Sequence, residues 1–331
     1  MKLWLPTSHA FMATPSAFRS VRRACSASSS LKWEGGVSMV QGASRGIGLE
    51  FVKQVLEKND KGHVVATCRN PDRATGLVDL KDKFAERLNI VPLDLTIEST
   101  IEASAKFIRE KYGSLNLLIN ASGILSIPNV LQPETTLSKV ERSSLMLSYE
   151  VNAVGPILAI KHMWPLLKAG GGFGSERDVA VVANLSARVG SIGDNHLGGW
   201  HSYRSSKAAL KSVYDFFSEK FPWHEFLDSC LQFINFNCSL IISTSNETLH
   251  YCMGVEHGIF GVHKSVLGVT KNVSVEFTRR RDPIICILLH PGTVDTDLSK
   301  PFQRNVPEGK LFTKEFSVQK LLSIINNAKE P

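Results

Sequence analysis

Between a short apolar run, Val37–Gln41, and an amphipathic stretch, Ile47–Glu57, the chain reads Gln41-Gly42-Ala43-Ser44-Arg45-Gly46-Ile47-Gly48. Few local patterns restrict a fold more. Gly42 permits a tight turn out of a strand, Gly46 lets a ligand approach the backbone, and Gly48 lets the following helix pack closely on the strand. The helix start then presents free N–H groups and the positive end of its dipole, a combination suited to phosphate. A glycine triplet alone says little, but one placed between strand and helix points to a dinucleotide site formed by Gly42, Ser44, Arg45, Gly46, Ile47 and Gly48.

The rest of the chain supplies the scaffold such a loop needs. Past residue 35, short β-branched runs alternate with longer amphipathic stretches, the pattern of βαβ units on a parallel sheet. The predicted strands are Val37–Gln41, His63–Thr67, Leu88–Leu93, Leu115–Ile119, Val179–Leu185 and Ile284–Leu289. Their nearly continuous apolar character fits strands covered by helices on both faces. Predicted helices are Ile47–Glu57, Glu98–Lys111, Lys139–Leu167, a helix from Tyr203 onward and Lys314–Ala328. The expected fold is α/β, a Rossmann doubly wound parallel sheet in three αβα layers.

The second strand ends Ala66-Thr67-Cys68-Arg69-Asn70-Pro71, with no acid to receive a ribose 2′-hydroxyl. Arg69 instead offers a guanidinium where a 2′-phosphate would lie, and Arg45 can reach the same group. This predicts NADP(H) rather than NAD(H). Further along, Tyr203 and Lys207 are four residues apart on one helix face, so the ammonium is expected to favour the phenolate and lower a pKa ordinarily near 10.

The order of motifs resembles the short-chain dehydrogenase/reductase family. It comprises the glycine loop, Asp94 after the third strand, Asn120-Ala121-Ser122-Gly123 after the fourth, Asn152 on a helix, Tyr203-Arg204-Ser205-Ser206-Lys207, and His290-Pro291-Gly292-Thr293-Val294-Asp295-Thr296. The stretch Asn184–Ile192 and the tail Pro291–Ser299 are similar to the C-factor-like or sniffer-like carbonyl reductase branch. The resemblance spans about Gly35–Leu210 and Gly268–Ala328. It implies a carbonyl substrate reduced by hydride transfer, or the reverse oxidation of an alcohol. Tyr203 would be the acid–base group and Lys207 would also bond the nicotinamide ribose. Asn152 would hold a water in the proton relay, and a serine, here Ser186, would orient the substrate oxygen. Asp94 and Leu95 would border the adenine, Asn120 and Gly123 the ribose, and Pro291, Gly292, Val294 and Thr296 the nicotinamide. The family also implies a homo-oligomer.

Several positions depart from the family pattern. Gln41 stands where Thr is usual, and Ala121-Ser122 replaces Asn-Ala. The usual serine position, three residues before Gly190, is Ala187. Ser186 lies one residue earlier, which on a regular strand is the opposite face, so its use predicts a bulge. Residues 211–266 interrupt the helix that begins at Tyr203, leaving 211–221 and 267–277 as competitors for its second half. The resulting domain, 34–331, also lacks the last family strand, which should expose an edge on the sixth.

Net charge argues against one class of partner. Of the formal +7, Lys2, Arg19, Arg22, Arg23 and Lys32 supply most and leave +2 for the remainder, too little to suggest nucleic-acid binding. The first 33 residues are rich in Ser, Ala and Arg and lack acids, the composition of a transit peptide for a chloroplast, or alternatively a mitochondrion; an untargeted cytoplasmic tail is the third reading. Six cysteines show no metal-ligand spacing, and polar residues in the apolar stretch 226–242 argue against a membrane span.

Overall fold

The computed structural model describes residues 31–33, 35–171, 178–191, 195, 197–211, 240–244, 247–251, 262–263 and 269–328. The leader 1–30 and most of the interruption at 211–266, including the competitor 212–221, lie outside the described residues.

Six parallel strands form the central sheet: β1 (Val37–Gln41), β2 (His63–Cys68), β3 (Leu88–Pro92), β4 (Leu117–Asn120), β5 (Ala180–Leu185) and, after a long excursion, β9 (Ile284–Leu289). Their spatial order, β3-β2-β1-β4-β5-β9, reverses direction beside β1. Such a reversal opens a crevice at the carboxyl ends of the strands. The register is continuous, from Val37 opposite His63 to Leu185 opposite Leu289.

Alternation within each strand divides the core in two. Val40, Ala66, Ile119, Ala183 and Ile287 meet one helical layer, formed by α1 (Gly46–Lys58), α2 (Thr75–Lys83) and, near the end of the chain, α8 (Lys314–Asn327). Met39, Val65, Leu118, Val182 and Cys286 meet the other, formed by α3 (Glu98–Tyr112), α5 (Gly155–Gly170) and α7 (Val269–Arg280). This is the predicted three-layer α/β architecture. The six predicted strands and the helices at 47, 98 and 314 differ from the observed ones only near their ends. Helix α2 is unexpected; only Leu77 and Leu80 anchor it, too sparse a pattern to read as a helix.

The predicted helix Lys139–Leu167 is divided. Helix α4 (Arg142–Tyr149) passes through one π-helical turn at Glu150–Val154 before becoming α5. By length and composition 142–170 could cross a membrane, yet its apolar side is packed against the sheet and α3, as in the core helix of a globular domain.

Helix α6 (His201–Lys211) follows β5, and α7 is the part of the interrupted helix pair seen against the core. Phe277 is buried beside Trp164, with ring centroids 6.0 Å apart. Asp282, just past α7, accepts from Trp164 Nε1 at 2.9 Å and pairs with Lys168 at 2.6 Å, tying the end of α7 to α5. Described parts of the interruption form a separate antiparallel sheet, β6 (Leu240–Thr244), β7 (Glu247–Tyr251) and β8 (Val262–His263), with no pairing to the parallel one. Among the described residues no strand pairs with the outer edge of β9. Contrary to the expected exposure, all six β9 residues are buried.

Two further observations concern the ends of the domain. Leu31 and Trp33 are buried in the first core layer, Trp33 Nε1 donates to Ser38 Oγ at 3.0 Å, and Lys32 N donates to Asn326 Oδ1 at 2.8 Å. The packed chain therefore includes residues ahead of the boundary at 34. Beyond β9, the short parallel pair β10 (Thr293–Val294) and β11 (Leu311–Phe312) fixes the loop over the crevice.

Candidate active site

The glycine loop takes up the turn its composition predicts. Gly42 and Gly46 have φ of +84° and +59°, and a Cβ on Gly48 would lie 2.1 Å from the Gly42 carbonyl oxygen. Gly42 N and Ala43 N both donate to Thr67 O, so β2 holds the loop down. No side chain caps the start of α1, and above Gly46 the nearest atoms belong to Thr296, 3.7 Å from a Cβ placed there. Ser44 and Ile47 flank this gap, half-buried. Open backbone donors and space above a glycine fit a pyrophosphate.

Gln41 is bonded rather than idle. Its Nε2 donates to Ser122 Oγ at 2.6 Å, and Ser122 N donates back to Gln41 Oε1 at 3.3 Å. The two departures from the family pattern thus satisfy each other across β1 and β4. Arg45 forms an exposed ion pair with Asp297 at 3.5 Å, whereas no described residue engages exposed Arg69. Asp94 accepts from Thr96 N and Oγ1 at 2.9 and 2.8 Å, and Leu95 lies beneath the start of α5, against Gly155. Asn120 Nδ2 donates to Asn184 Oδ1 at 2.7 Å. Pro291 O accepts from Ser317 Oγ at 2.7 Å; Gly292, at φ +77°, leaves room for the Phe312 ring; Val294 is buried.

The chemistry-bearing side chains meet at the start of α6. Tyr203 and Lys207 are both buried, with Lys207 Nζ 6.0 Å from the centre of the phenol ring and donating to Leu185 O at 3.1 Å. A Cβ on Gly123 would lie 3.2 Å from Lys207 Nζ and 3.4 Å from Asn152 Oδ1, so a side chain here would crowd the junction. Asn152 sits in the π-helical turn, an irregularity frequent at functional sites. Its side chain is largely engaged: Oδ1 accepts from Ile124 N at 2.8 Å, and Nδ2 donates to Ile124 O at 2.9 Å and Ser206 Oγ at 3.0 Å. One Oδ1 lone pair is left for a further donor.

Two expectations about this site change. Burial, rather than Lys207, dominates the phenol: desolvation pushes the Tyr203 pKa up and pulls the Lys207 ammonium down to about 8. The expected bulge at Ser186 is also absent. Ser186 N donates to Leu289 O, continuing the ladder, and Ala187 is still extended. Alternation from Ala180 and Val182 puts Asn184 and Ser186 on the sheet face covered by α5. The Asn152–Ser206 bond joins α6 to that same layer. Ser186 Oγ is buried without a hydrogen-bond partner among the described residues, a costly state that a ligand oxygen would relieve.

Motif reading missed two residues here. Glu134, buried in the loop after β4, accepts from Ser202 N and Oγ at the start of α6. Trp200 has its ring 6.4 Å from Tyr203 and 4.8 Å from Phe302. Neither belongs to a periodic pattern, and partners 68 residues apart leave no local signal.

A profile of the short chain dehydrogenase family matches residues 37–222. Carbonyl reductase [NADPH] 1 of Rattus norvegicus is 26% identical over 277 residues, covering 82% of this chain and 86% of the relative. The 1-hydroxy-2-glutathionyl-2-methyl-3-butene dehydrogenase of Rhodococcus sp. (strain AD45) is 30% identical over 176 residues, 53% of this chain and 66% of that protein. Against several such curated relatives the chain spans just under two thirds of their length. Among solved structures, an NADPH-bound carbonyl reductase from chicken fatty liver is 29% identical with a TM-score of 0.62, covering 90% of this chain and 93% of that one. Carbonyl reductase Sniffer of D. melanogaster, at 24% identity and the same TM-score, shares the fold over 90% of this chain and 93% of its own. With more than half of the sequence inside the family profile, and with the glycine loop and Tyr203–Lys207 pair at the carboxyl edge of the six-stranded sheet, the chain belongs to the short-chain dehydrogenase family.

Proposed function

We propose that the protein is an NADPH-dependent carbonyl reductase, running in reverse as an alcohol dehydrogenase. The observation that carries this reading is the junction of Tyr203, Lys207, Asn152 and Gly123 at the edge of the crevice. NADPH, when bound, supplies the hydride. Gly42, Ser44, Gly46, Ile47 and Gly48 would hold its pyrophosphate, Asp94, Leu95 and Asn120 its adenosine side, and Pro291, Gly292, Val294 and Thr296 its nicotinamide end. Arg69 would meet the 2′-phosphate. Arg45 would join it by exchanging Asp297, which an exposed ion pair worth about 1 kcal/mol or less permits.

The protein's own residues manage the proton. Burial keeps Tyr203 protonated, the form an acid needs before it donates to a carbonyl oxygen gaining negative charge. Lys207, held by Leu185 O, faces the phenol ring and would stabilise the phenolate left behind. Ser186 Oγ, buried and unpartnered, would donate to the same substrate oxygen. Asn152 holds Ile124 and Ser206, and its remaining lone pair could accept from a water that reprotonates the phenol.

The test is carbonyl-dependent NADPH oxidation by the purified full chain over a panel of aromatic and aliphatic ketones and aldehydes. Tyr203→Phe should cut kcat by about 10²–10⁴-fold and leave NADPH affinity within a few-fold. Retention of most activity in that variant would overturn the mechanism. NADPH binding without turnover of any carbonyl would favour a nucleotide-binding protein whose chemistry has lapsed, a reading that Ala187 at the usual serine position supports. The acid-free leader supports delivery to a chloroplast; a fluorescent fusion of residues 1–33 that stays in the cytoplasm would refute it.

A further inference from the structure

The loop after β4 is fastened at both ends to catalytic elements. At its start, Ile124 exchanges two hydrogen bonds with the Asn152 side chain. A bridge between Ile127 and Leu131 closes its middle. At its far end Glu134, 3% exposed, directs its carboxylate at the first turn of α6. Ser202 N donates to Oε2 at 3.2 Å, and Ser202 Oγ donates to Oε1. The Glu134 backbone carbonyl also accepts from Trp200 N.

We infer that Glu134 is a positioning residue for the Tyr203–Lys207 pair, acting as a remote cap on α6. Helix starts leave N–H groups unsatisfied and favour negative charge, and a capping side chain normally comes from the residue just before the helix. Here that place is occupied by Trp200, which cannot cap, and the carboxylate arrives from 68 residues away. Without it, a buried N–H and a buried hydroxyl at Ser202 would lose their partners one residue before the catalytic phenol.

The same clamp sets the approach to α6. Gly198, Gly199 and Trp200 have φ of +65°, +64° and +52°, and the last of these is unfavourable for a bulky residue. The bond from Trp200 N to Glu134 helps hold this turn, with the Trp200 ring between Tyr203 and Phe302. Loop, aromatic ring and catalytic helix are thereby coupled. A carbonyl substrate touching the loop would reach Tyr203 only in the orientation that the clamp fixes.

This inference rests on the proposed reductase reading, and two readouts separate them. In Glu134→Ala, kcat should fall about 10–100-fold, while NADPH affinity stays within twofold and Phe277 stays protected in the core. Glu134→Gln, which retains an acceptor for Ser202 N and gains a donor for Ser202 Oγ, should recover most of the loss. Amide exchange at Ser202 and Tyr203 should accelerate in the Ala variant and not in the Gln variant. Unchanged kcat and unchanged exchange in Glu134→Ala would overturn the inference. So would equal losses in NADPH affinity and kcat, which would mean that the whole site has collapsed. If the unmutated chain reduces no carbonyl but exchange follows the pattern above, the cap stands and the reductase reading falls.

Discussion

Up to β5, nearly every element packs against the one that follows it in sequence. After α6 the chain behaves differently, and the parallel sheet resumes only at β9, some 70 residues later. The first region is held by many near neighbours: β1 alone is hydrogen-bonded to β2 and β4, and its loop is held by Thr67. Between α6 and β9 the described residues are tied to the parallel domain by long-range anchors, chiefly Phe277 in the core and Asp282 on Trp164 and Lys168, before β9 pairs with β5 along its whole length. The half that carries the glycine loop is therefore redundant in its support, whereas α7, among the described residues, is docked through a few side chains.

The largest stability effect should fall on such an anchor. Phe277→Ala should destabilise the fold by about 3–5 kcal/mol, because a buried aromatic ring leaves a cavity under α7. Chemical denaturation measures this directly. A loss below about 1 kcal/mol would mean that α7 is not docked as described, and the contrast between the halves would fail.

Next in size is a change that should help stability and harm function. Burial pulls the Lys207 pKa from 10.5 to about 8, so the folded state disfavours its ammonium relative to the unfolded chain. That cost is complete below pH 8, where both states are protonated, and fades as pH rises from about 8 to 10.5. Lys207→Met should therefore be more stable at neutral pH, by at most roughly 3 kcal/mol, and lose that advantage across this window. The proposed reductase activity should vanish. Melts at several pH values decide it, and an advantage that grows with pH would contradict the burial argument.

In the cofactor half, Arg69→Asp should remove a contact worth about 1.5–3 kcal/mol and turn the preference from NADPH towards NADH. Titration of both cofactors measures it; tighter NADH binding by the unmutated chain would refute the assignment. The smallest effect concerns the reciprocal pair across β1 and β4. A double-mutant cycle of Gln41→Ala and Ser122→Ala should give a coupling of about 0.5–1.5 kcal/mol with little change in the melt of the double variant relative to either single one. Additive effects would show that the two departures from the family pattern are unrelated.

The same contrast explains what could be read before any coordinates. The six core strands were legible because burial on both faces leaves uninterrupted runs such as Ala180–Leu185 and Ile284–Leu289. The glycine turn was legible because its geometry excludes other side chains, as the clash at Gly48 makes plain. Tyr203 and Lys207 followed from helical spacing. Sequence could not show the π-helical turn within Lys139–Leu167, since Val151–Leu167 is apolar nearly all round and offers no narrow stripe whose shift would mark an extra residue. Nor could it show that Ser186 stays in register on the face covered by α5, because the end of a strand's regularity is set by its neighbour, Leu289. Glu134 was invisible for a related reason: a cap supplied from another loop has no spacing to recognise.

Leu31 and Trp33 share a core layer with Val318, Leu321 and Ile325, and Lys32 N is bonded to Asn326, which bears on how the molecule is made. During synthesis Leu31 and Trp33 wait for α8 before their core layer is complete. At about 5–20 residues per second, that delay is on the order of tens of seconds. Until α8 leaves the ribosome, one flank of α1 stays uncovered, an apolar surface that a chaperone can recognise. Closure of this core layer thus waits on α8, and a chain released before α8 would carry its glycine loop without the seal beneath it.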